Sequence, residues 1–392
     1  MARPRALVVR PDEVQTFHCM SRCVRQSPLL RSEVDDRKSW FHQRLIELAT
    51  AFSIDLVAVS LMDTHFHTQL TTRPDLAREF TAHEVARRWF GIYPKSVHLW
   101  ARQGLAAHPD LEARRHSITG ALSDEDAIEA VARQTARIES LRLRLSCISE
   151  FQKVIKQEVA RRVNKLDGTS GHFWDSRFKS IEVVDEPGRL MVAMYIDLNP
   201  VRAAICDRPE DSPYTSVRDR ILVRQYLSDD EKAEQRSIGT RDAESGGPPR
   251  AVGRKSKGRR RRQKNKRHAL HATSSFSRPT RNEVRPLLRC ERERDPDRAV
   301  WLAPIQDALG IALDHYLSLI DQVGRLVRSD KRGAIPESLP PMLERLGLKL
   351  DDLAKLGRRK ESELHGTVIG GLKACRRAAE RRGLKRVVNA LA

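Results

Sequence analysis

The feature that most constrains this chain is an apolar run, Ile54-Asp-Leu-Val-Ala-Val-Ser-Leu-Met62, followed two residues later by His65-Phe66-His67. The run reads as a buried strand. A turn at Asp63-Thr64 folds the chain back into a second strand, His65 to Thr71, and the two form a hairpin. Residues i and i+2 of a strand project to one face, so the imidazoles of His65 and His67 can reach one metal ion.

A second segment complements the first. Asp185-Glu-Pro-Gly188 opens a predicted helix that carries Tyr195-Ile-Asp-Leu-Asn199 and is stopped by Pro200. Tyr195 and Asn199 are i and i+4 and share a face. Two imidazole nitrogens, an amide oxygen and a phenol are the parts of a metal-dependent, tyrosine-based site for cleaving phosphodiesters. Such chemistry needs an in-line nucleophile, neutralisation of the non-bridging oxygens and release of the 3′ oxygen. A tyrosine phenoxide keeps the bond energy, because the phosphotyrosine can later be attacked by a 3′ hydroxyl. An ion held by His65, His67 and the Asn199 oxygen would be Mg²⁺ or Mn²⁺, although imidazoles by themselves favour softer ions. Each piece alone has an ordinary structural reading: a core histidine, a packed tyrosine, an asparagine ending a helix. Their joint occurrence on a strand and a helix that could face one another carries the argument.

The rest of the chain gives these segments a setting. A first strand is predicted from about Val14 to Cys23, and a helix from Glu33 to Phe52 with Trp40, Phe41, Leu45, Ile46, Leu48 and Ala49 near one face. Arg73-Pro74-Asp75 opens another helix running to about Phe90, with Asp75 as its cap. A long charged helix is expected over Asp124 to Leu166, and a strand over His172 to Val184. Strand, helix, hairpin, helix, strand, helix is an α+β order, and the expected layout is a ferredoxin-like (RRM-like) antiparallel sheet with helices.

Beyond about Ser228 the character changes. Ser245-Gly-Gly-Pro-Pro249 precedes Arg254 to Arg267, which holds ten Lys or Arg in fourteen residues and no acid. Such a run cannot bury apolar area and is expected to be disordered when free. Arg259, Arg260, Arg261, Arg262 and Lys264 at its centre are predicted to contact DNA phosphates through counterion release, without sequence specificity. After Val300 order is expected to return as a small all-helical domain, with helices over Ala308 to Val327, Leu339 to Leu346, Leu350 to Leu356, Ser362 to Gly371 and Leu372 to Leu391. The expected organisation is therefore residues 1–228 as a catalytic domain, 229–295 as a basic linker and 296–392 as a helical C-terminal domain.

Composition supports a polyanionic partner. The 392 residues include 72 Lys and Arg against 52 Asp and Glu, a net charge of +20. The six cysteines lack a Cys-x-x-Cys pair, which argues against a structural zinc site and for a reducing compartment. No apolar run approaches ~18 residues, and no membrane association is expected. The expected location is cytoplasmic and nucleoid-associated.

Several segments together resemble the single-tyrosine HUH transposases, in their REP-associated branch. They are Phe17-His-Cys-Met-Ser-Arg22, Val59-Ser-Leu-Met62 running into His65-Phe66-His67, Gly171-His-Phe-Trp174 with Arg177-Phe178, and Tyr195-Ile-Asp-Leu-Asn-Pro-Val-Arg202-Ala203. The resemblance spans roughly residues 10–225. It implies a metal-dependent endonuclease and strand-transferase acting on single-stranded hairpin DNA, as a monomer or homodimer. It also implies that His65, His67 and Asn199 are metal ligands and that Tyr195 is the nucleophile, joined to a 5′ phosphate. Arg22 and Arg177 could touch DNA phosphates or pair with acids on the sheet. Departures from the family pattern are Asp63-Thr64 for a usual Pro-Asn, Cys23 for a glycine, Thr68-Gln69-Leu70 for an apolar triplet, and an insertion over about 91–150. None removes a ligand or the tyrosine. The alternative is a non-catalytic, domesticated nucleic-acid-binding regulator of the same fold. A replication initiator or relaxase fits less well, because no G-x-x-x-x-G-K-[ST] helicase motif is present.

Overall fold

The computed structural model describes residues 8–32, 35–106, 122–203, 205–206, 209–223, 301–327 and 368–382. Its centre is the hairpin read from the sequence. β1 (Thr16–Arg22), β2 (Ile54–Leu61) and β3 (His65–Thr72) are antiparallel neighbours, and the Met62 amide donates to the His65 carbonyl (2.9 Å) to close the turn. With β4 (Lys179–Val183) and β5 (Val368–Ile369) they form an open sheet in the order β2-β3-β1-β4-β5. The sheet is mixed because β5 runs parallel to β4. The fold is α+β, as expected.

One face of the sheet is covered by α1 (Arg37–Ala51), whose first turn is capped by the Asp36 carboxylate accepting from the Ser39 amide at 3.0 Å. Its buried stripe of Phe41, Leu45, Ile46, Leu48 and Ala49 recurs at helical spacing and packs on Phe17, Leu56 and Phe66. Onto α1 the chain stacks α2 (Pro74–Glu79), α3 (Ala82–Ile92), α4 (Pro94–Ala106), α5 (Asp124–Ala132), α6 (Thr135–Leu145) and α7 (Ile148–Leu166). Trp89, Val97, Ile128 and Leu141 join the same core, so the 91–150 segment thickens this layer.

The opposite face receives α8 (Glu186–Asp197), which continues through Leu198 into the short α9 (Asn199–Arg202). Every residue from Leu190 to Asp197 is buried, because α8 lies between the sheet and α11 (Leu313–Val327). Asp185 caps α8 by accepting from the Gly188 amide (2.8 Å), and its other oxygen accepts from the Gly371 amide (2.7 Å) beside β5. That carboxylate fastens two elements at once.

Several expectations are corrected. The helix predicted from Arg73 to Phe90 is two, because Phe80 turns extended and Thr81 caps α3 on the Glu84 amide; Asp75 sits in the first turn of α2, paired with Arg73, and is not the cap. The long helix from Asp124 to Leu166 breaks at Arg133-Gln134 and again at Ser146-Cys147. The strand predicted over His172 to Val184 is confined to β4; Trp174 makes a single bridge to Cys23, and the chain loops between. The C-terminal segment is not all-helical. Val368 and Ile369 form β5, where a helix over Ser362 to Gly371 was expected, and α10 (Ile305–Leu309) and α11 share a core with α8. The final α12 (Leu372–Arg381) matches the start of the last predicted helix. The helices predicted over 339–346 and 350–356 and the basic run with Arg259, Arg260, Arg261, Arg262 and Lys264 lie outside the described residues.

Candidate functional site

The register of β1 and β3 builds the site. Arg22 stands opposite His65, Met20 opposite His67 and His18 opposite Gln69. Alternation then places His18, Met20, Arg22, His65, His67 and Gln69 on one face, the face that α8 crosses. The His65 and His67 rings lie 5.1 Å apart between centroids. Tyr195 projects from α8 onto them, its ring 5.6 Å from that of His67 and nearly perpendicular to it. The hairpin histidines and the helix tyrosine, far apart in sequence, therefore meet, an arrangement the spacing allowed but did not require.

His18 completes the cluster and was not assigned a role from sequence. Its Nε2 is 2.9 Å from His67 Nδ1, and the two rings are stacked with their planes 22° apart. Thr64 Oγ1 is 2.8 Å from His65 Nδ1 in the same manner. Both hairpin histidines thus hold Nδ1 on a protein group, and an incoming ion would be met through Nε2. A strand tyrosine or serine would have looked equally ordinary at position 18; only the register reveals it.

Burial sets the charge of the cluster. It pulls His18 and His65 from 6.5 down to about 4 and His67 well below its ordinary value, the last also through its histidine neighbours and Arg22. At neutral pH all are uncharged, the form a metal ligand must take. Tyr195, 5 % exposed, has its phenol pushed up by burial, while Arg202, Arg22 and the Asn199 amide pull the other way. Asn199 lies one turn beyond Tyr195, and its Nδ2 is buried without a hydrogen bond. Asp63, the acid nearest the hairpin, is drawn off by Lys38 (Nζ to Oδ1, 2.5 Å). No group of three or more His, Cys, Asp or Glu is arranged for a metal among the described residues, so a third protein ligand beside the two histidines would have to be of another type, and the Asn199 side-chain oxygen is the candidate from the sequence. Two neutral imidazoles with one amide oxygen would hold Mg²⁺ or Mn²⁺ only weakly and would leave positions for substrate oxygens.

The remaining expected residues divide. Arg22 is half-buried and its charge is felt by His65, His67 and Tyr195. Arg177 is exposed in the loop entering β4 and takes no part in the contacts of the cluster. Arg202, quoted from the sequence without a role, lies with its guanidinium carbon 5.0 Å from the centre of the Tyr195 ring. Its signal was available: 195, 199 and 202 are i, i+4 and i+7, one stripe of a helix.

Behind the site, Asp197 faces away from the histidines. It accepts from Ser216 Oγ, from the Val217 amide (3.0 Å) and from the Tyr316 hydroxyl of α11 (2.6 Å). No family model, curated protein or solved structure matches this chain. No helix among the described residues is long and apolar enough to cross a membrane.

Proposed function

We propose that the protein is a metal-dependent single-strand DNA endonuclease and strand-transferase, a transposase of the single-tyrosine HUH kind, with Tyr195 as nucleophile. The observation that carries this reading is the seating of Tyr195 against His67, with Arg202 over its ring. The element order and the β2-β3-β1-β4 arrangement support a ferredoxin-like (RRM-like) core, here extended by β5. Mg²⁺ or Mn²⁺ on His65, His67 and Asn199 would supply Lewis acidity toward the non-bridging phosphate oxygens. The chain's own residues do the rest. His18 and Thr64 orient the two imidazoles, and the Tyr195 oxygen attacks phosphorus. Its proton passes to water, the P–O bond to the 3′ oxygen breaks, and that oxygen takes a proton from water and leaves as a hydroxyl. The net charge favours a polyanionic partner, which the family resemblance makes single-stranded hairpin DNA in a cytoplasmic, nucleoid-associated location.

The test uses the full chain, Mg²⁺ or Mn²⁺, and a hairpin-bearing single strand labelled downstream of the cut. A labelled protein band on a denaturing gel is expected, and Tyr195→Phe should remove it while sparing DNA binding. An undiminished adduct with Tyr195→Phe refutes the nucleophile assignment. The burial of Tyr195 favours one other reading, a non-catalytic nucleic-acid-binding regulator of the same fold. Binding without cleavage under every divalent ion would establish it.

A further inference from the structure

Arg202 carries a charge for which the described residues provide no counter-charge. Its Nε and Nη1 are buried and make no hydrogen bond, and no ion pair engages its guanidinium among the described residues. Burial, opposed by the tyrosine, brings it down from 12.5 to about 10. The Tyr195 ring lies 5.0 Å away and engages the cation through its π face. That contact satisfies the charge in part and leaves the in-plane N–H donors unmet, because guanidinium donors point along the plane and not out of it. A half-buried cation whose Nε and Nη1 donors are unused is an arrangement that recognises a phosphate oxygen.

The neighbours agree. His18, His65 and His67, the side chains nearest the Tyr195 ring on the sheet, are imidazoles and offer no competing anion. Asp197, two residues after the tyrosine, is committed to Ser216, Val217 and Tyr316 on the far side of α8. Asn199, on the stripe between Tyr195 and Arg202, turns its buried amide toward the phenol, close enough to draw the phenol's pKa down. The Arg202 guanidinium and the Asn199 amide therefore both adjoin one phenol.

We propose that Arg202, with the Asn199 amide beside it, is the binding site for one phosphodiester group, which it seats against the Tyr195 oxygen. This rests on the nuclease reading for the identity of the phosphate, though the anion site itself does not require that cleavage follow. As a group touching both nucleophile and substrate, Arg202 is a catalytic residue. It would hold the phosphate before attack and offset charge on the tyrosine oxygen during it.

The test has a binding arm and a reaction arm. In the first, the full chain without metal is titrated with a short single-stranded oligonucleotide and, separately, with inorganic phosphate, while the arginine Nε–H signals are followed by NMR. The Arg202 signal is identified by its loss in Arg202→Lys. It should shift with both probes in a saturable manner. In the second arm, Arg202→Gln should slow tyrosine–DNA adduct formation by about 100-fold and Arg202→Lys by about 10-fold, with oligonucleotide affinity changed by no more than about threefold. Added guanidinium ion should restore part of the rate in Arg202→Gln. An Arg202 signal unmoved by either probe overturns the proposal, whether or not the wild-type protein forms an adduct. A shifted signal in a protein that forms no adduct keeps the anion site and refutes the nuclease reading. An Arg202→Gln protein that reacts at the wild-type rate overturns the catalytic role.

Discussion

Replacing Tyr316 with phenylalanine tests what holds the tyrosine helix in place. The Tyr316 hydroxyl donates to Asp197 at 2.6 Å, and both side chains are fully buried. Phenylalanine keeps the ring among Leu319, Ile320 and Val323, so no cavity opens and the change isolates one hydrogen bond. A hydrogen bond to a charged acceptor contributes about 1.5–3 kcal/mol. Asp197 would retain the Ser216 and Val217 bonds and the nearby charge of Arg220, which places the expected loss near the middle, about 2 kcal/mol. Burial pushes the Asp197 carboxyl up, and a protonated carboxyl would reduce the loss to about 1 kcal/mol. Urea unfolding followed by tryptophan fluorescence reads the effect as a lower midpoint at unchanged slope. A loss below about 0.5 kcal/mol, the range of an inconsequential surface change, would refute the reasoning. The same variant should slow adduct formation while leaving metal affinity unchanged, because the clasp lies behind the helix and not in the site.

Two further outcomes follow from the histidine cluster. Burial lowers His18 and His65 from 6.5 to about 4, so between those values the unfolded chain binds protons that the folded chain does not. The sign is that stability is fully present above pH 6.5 and is lost as pH falls toward 4. His18 contributes about 3 kcal/mol over that window and half-exposed His65 less, while the raised Asp197 works in the opposite direction. Unfolding measured with chelator across pH 4–7.5 should show this slope, and His18→Gln should flatten it. In a separate measurement, His18→Ala removes the group that fixes the His67 ring, and Mn²⁺ affinity read by electron paramagnetic resonance should fall about 10–100-fold. Unchanged affinity would show that His67 is held by other contacts or binds no metal.

What the sequence made legible follows the range of the interactions involved. The β2–β3 hairpin was readable because an apolar run and a two-residue turn are local. α8 was readable because Asp185, Pro187 and the apolar run after them are local too. The breaks inside the 124–166 region depend on where Ile138, Leu141 and Leu145 must turn to reach the α3 and α7 layers, and a charged surface pattern does not encode that. β5 is a two-residue strand whose partner, Glu182-Val183, lies far upstream, and nothing in Val368-Ile369 alone distinguishes it from helix. His18 needed the register with β3. Arg202 needed only the i+7 rule, and was passed over because it closed a motif already explained by its first two members.

The two polar side chains in the buried stretch Leu190–Asp197 of α8 divide the work of that helix. Tyr195 and Asp197 are two residues apart, about 200° around the axis, so they leave on opposite sides. Tyr195 leaves toward the neutral histidines and Arg202. Asp197 leaves toward Ser216, Val217 and Tyr316, groups drawn from the end of the core fold and from the C-terminal segment. A nucleophile must hold its position against the charge that develops on it, and a helix fastened only by apolar contacts can slide with little directional cost. A buried carboxylate with several directed donors cannot. The C-terminal segment therefore sets the position of the tyrosine through Tyr316, as well as shielding the helix from water.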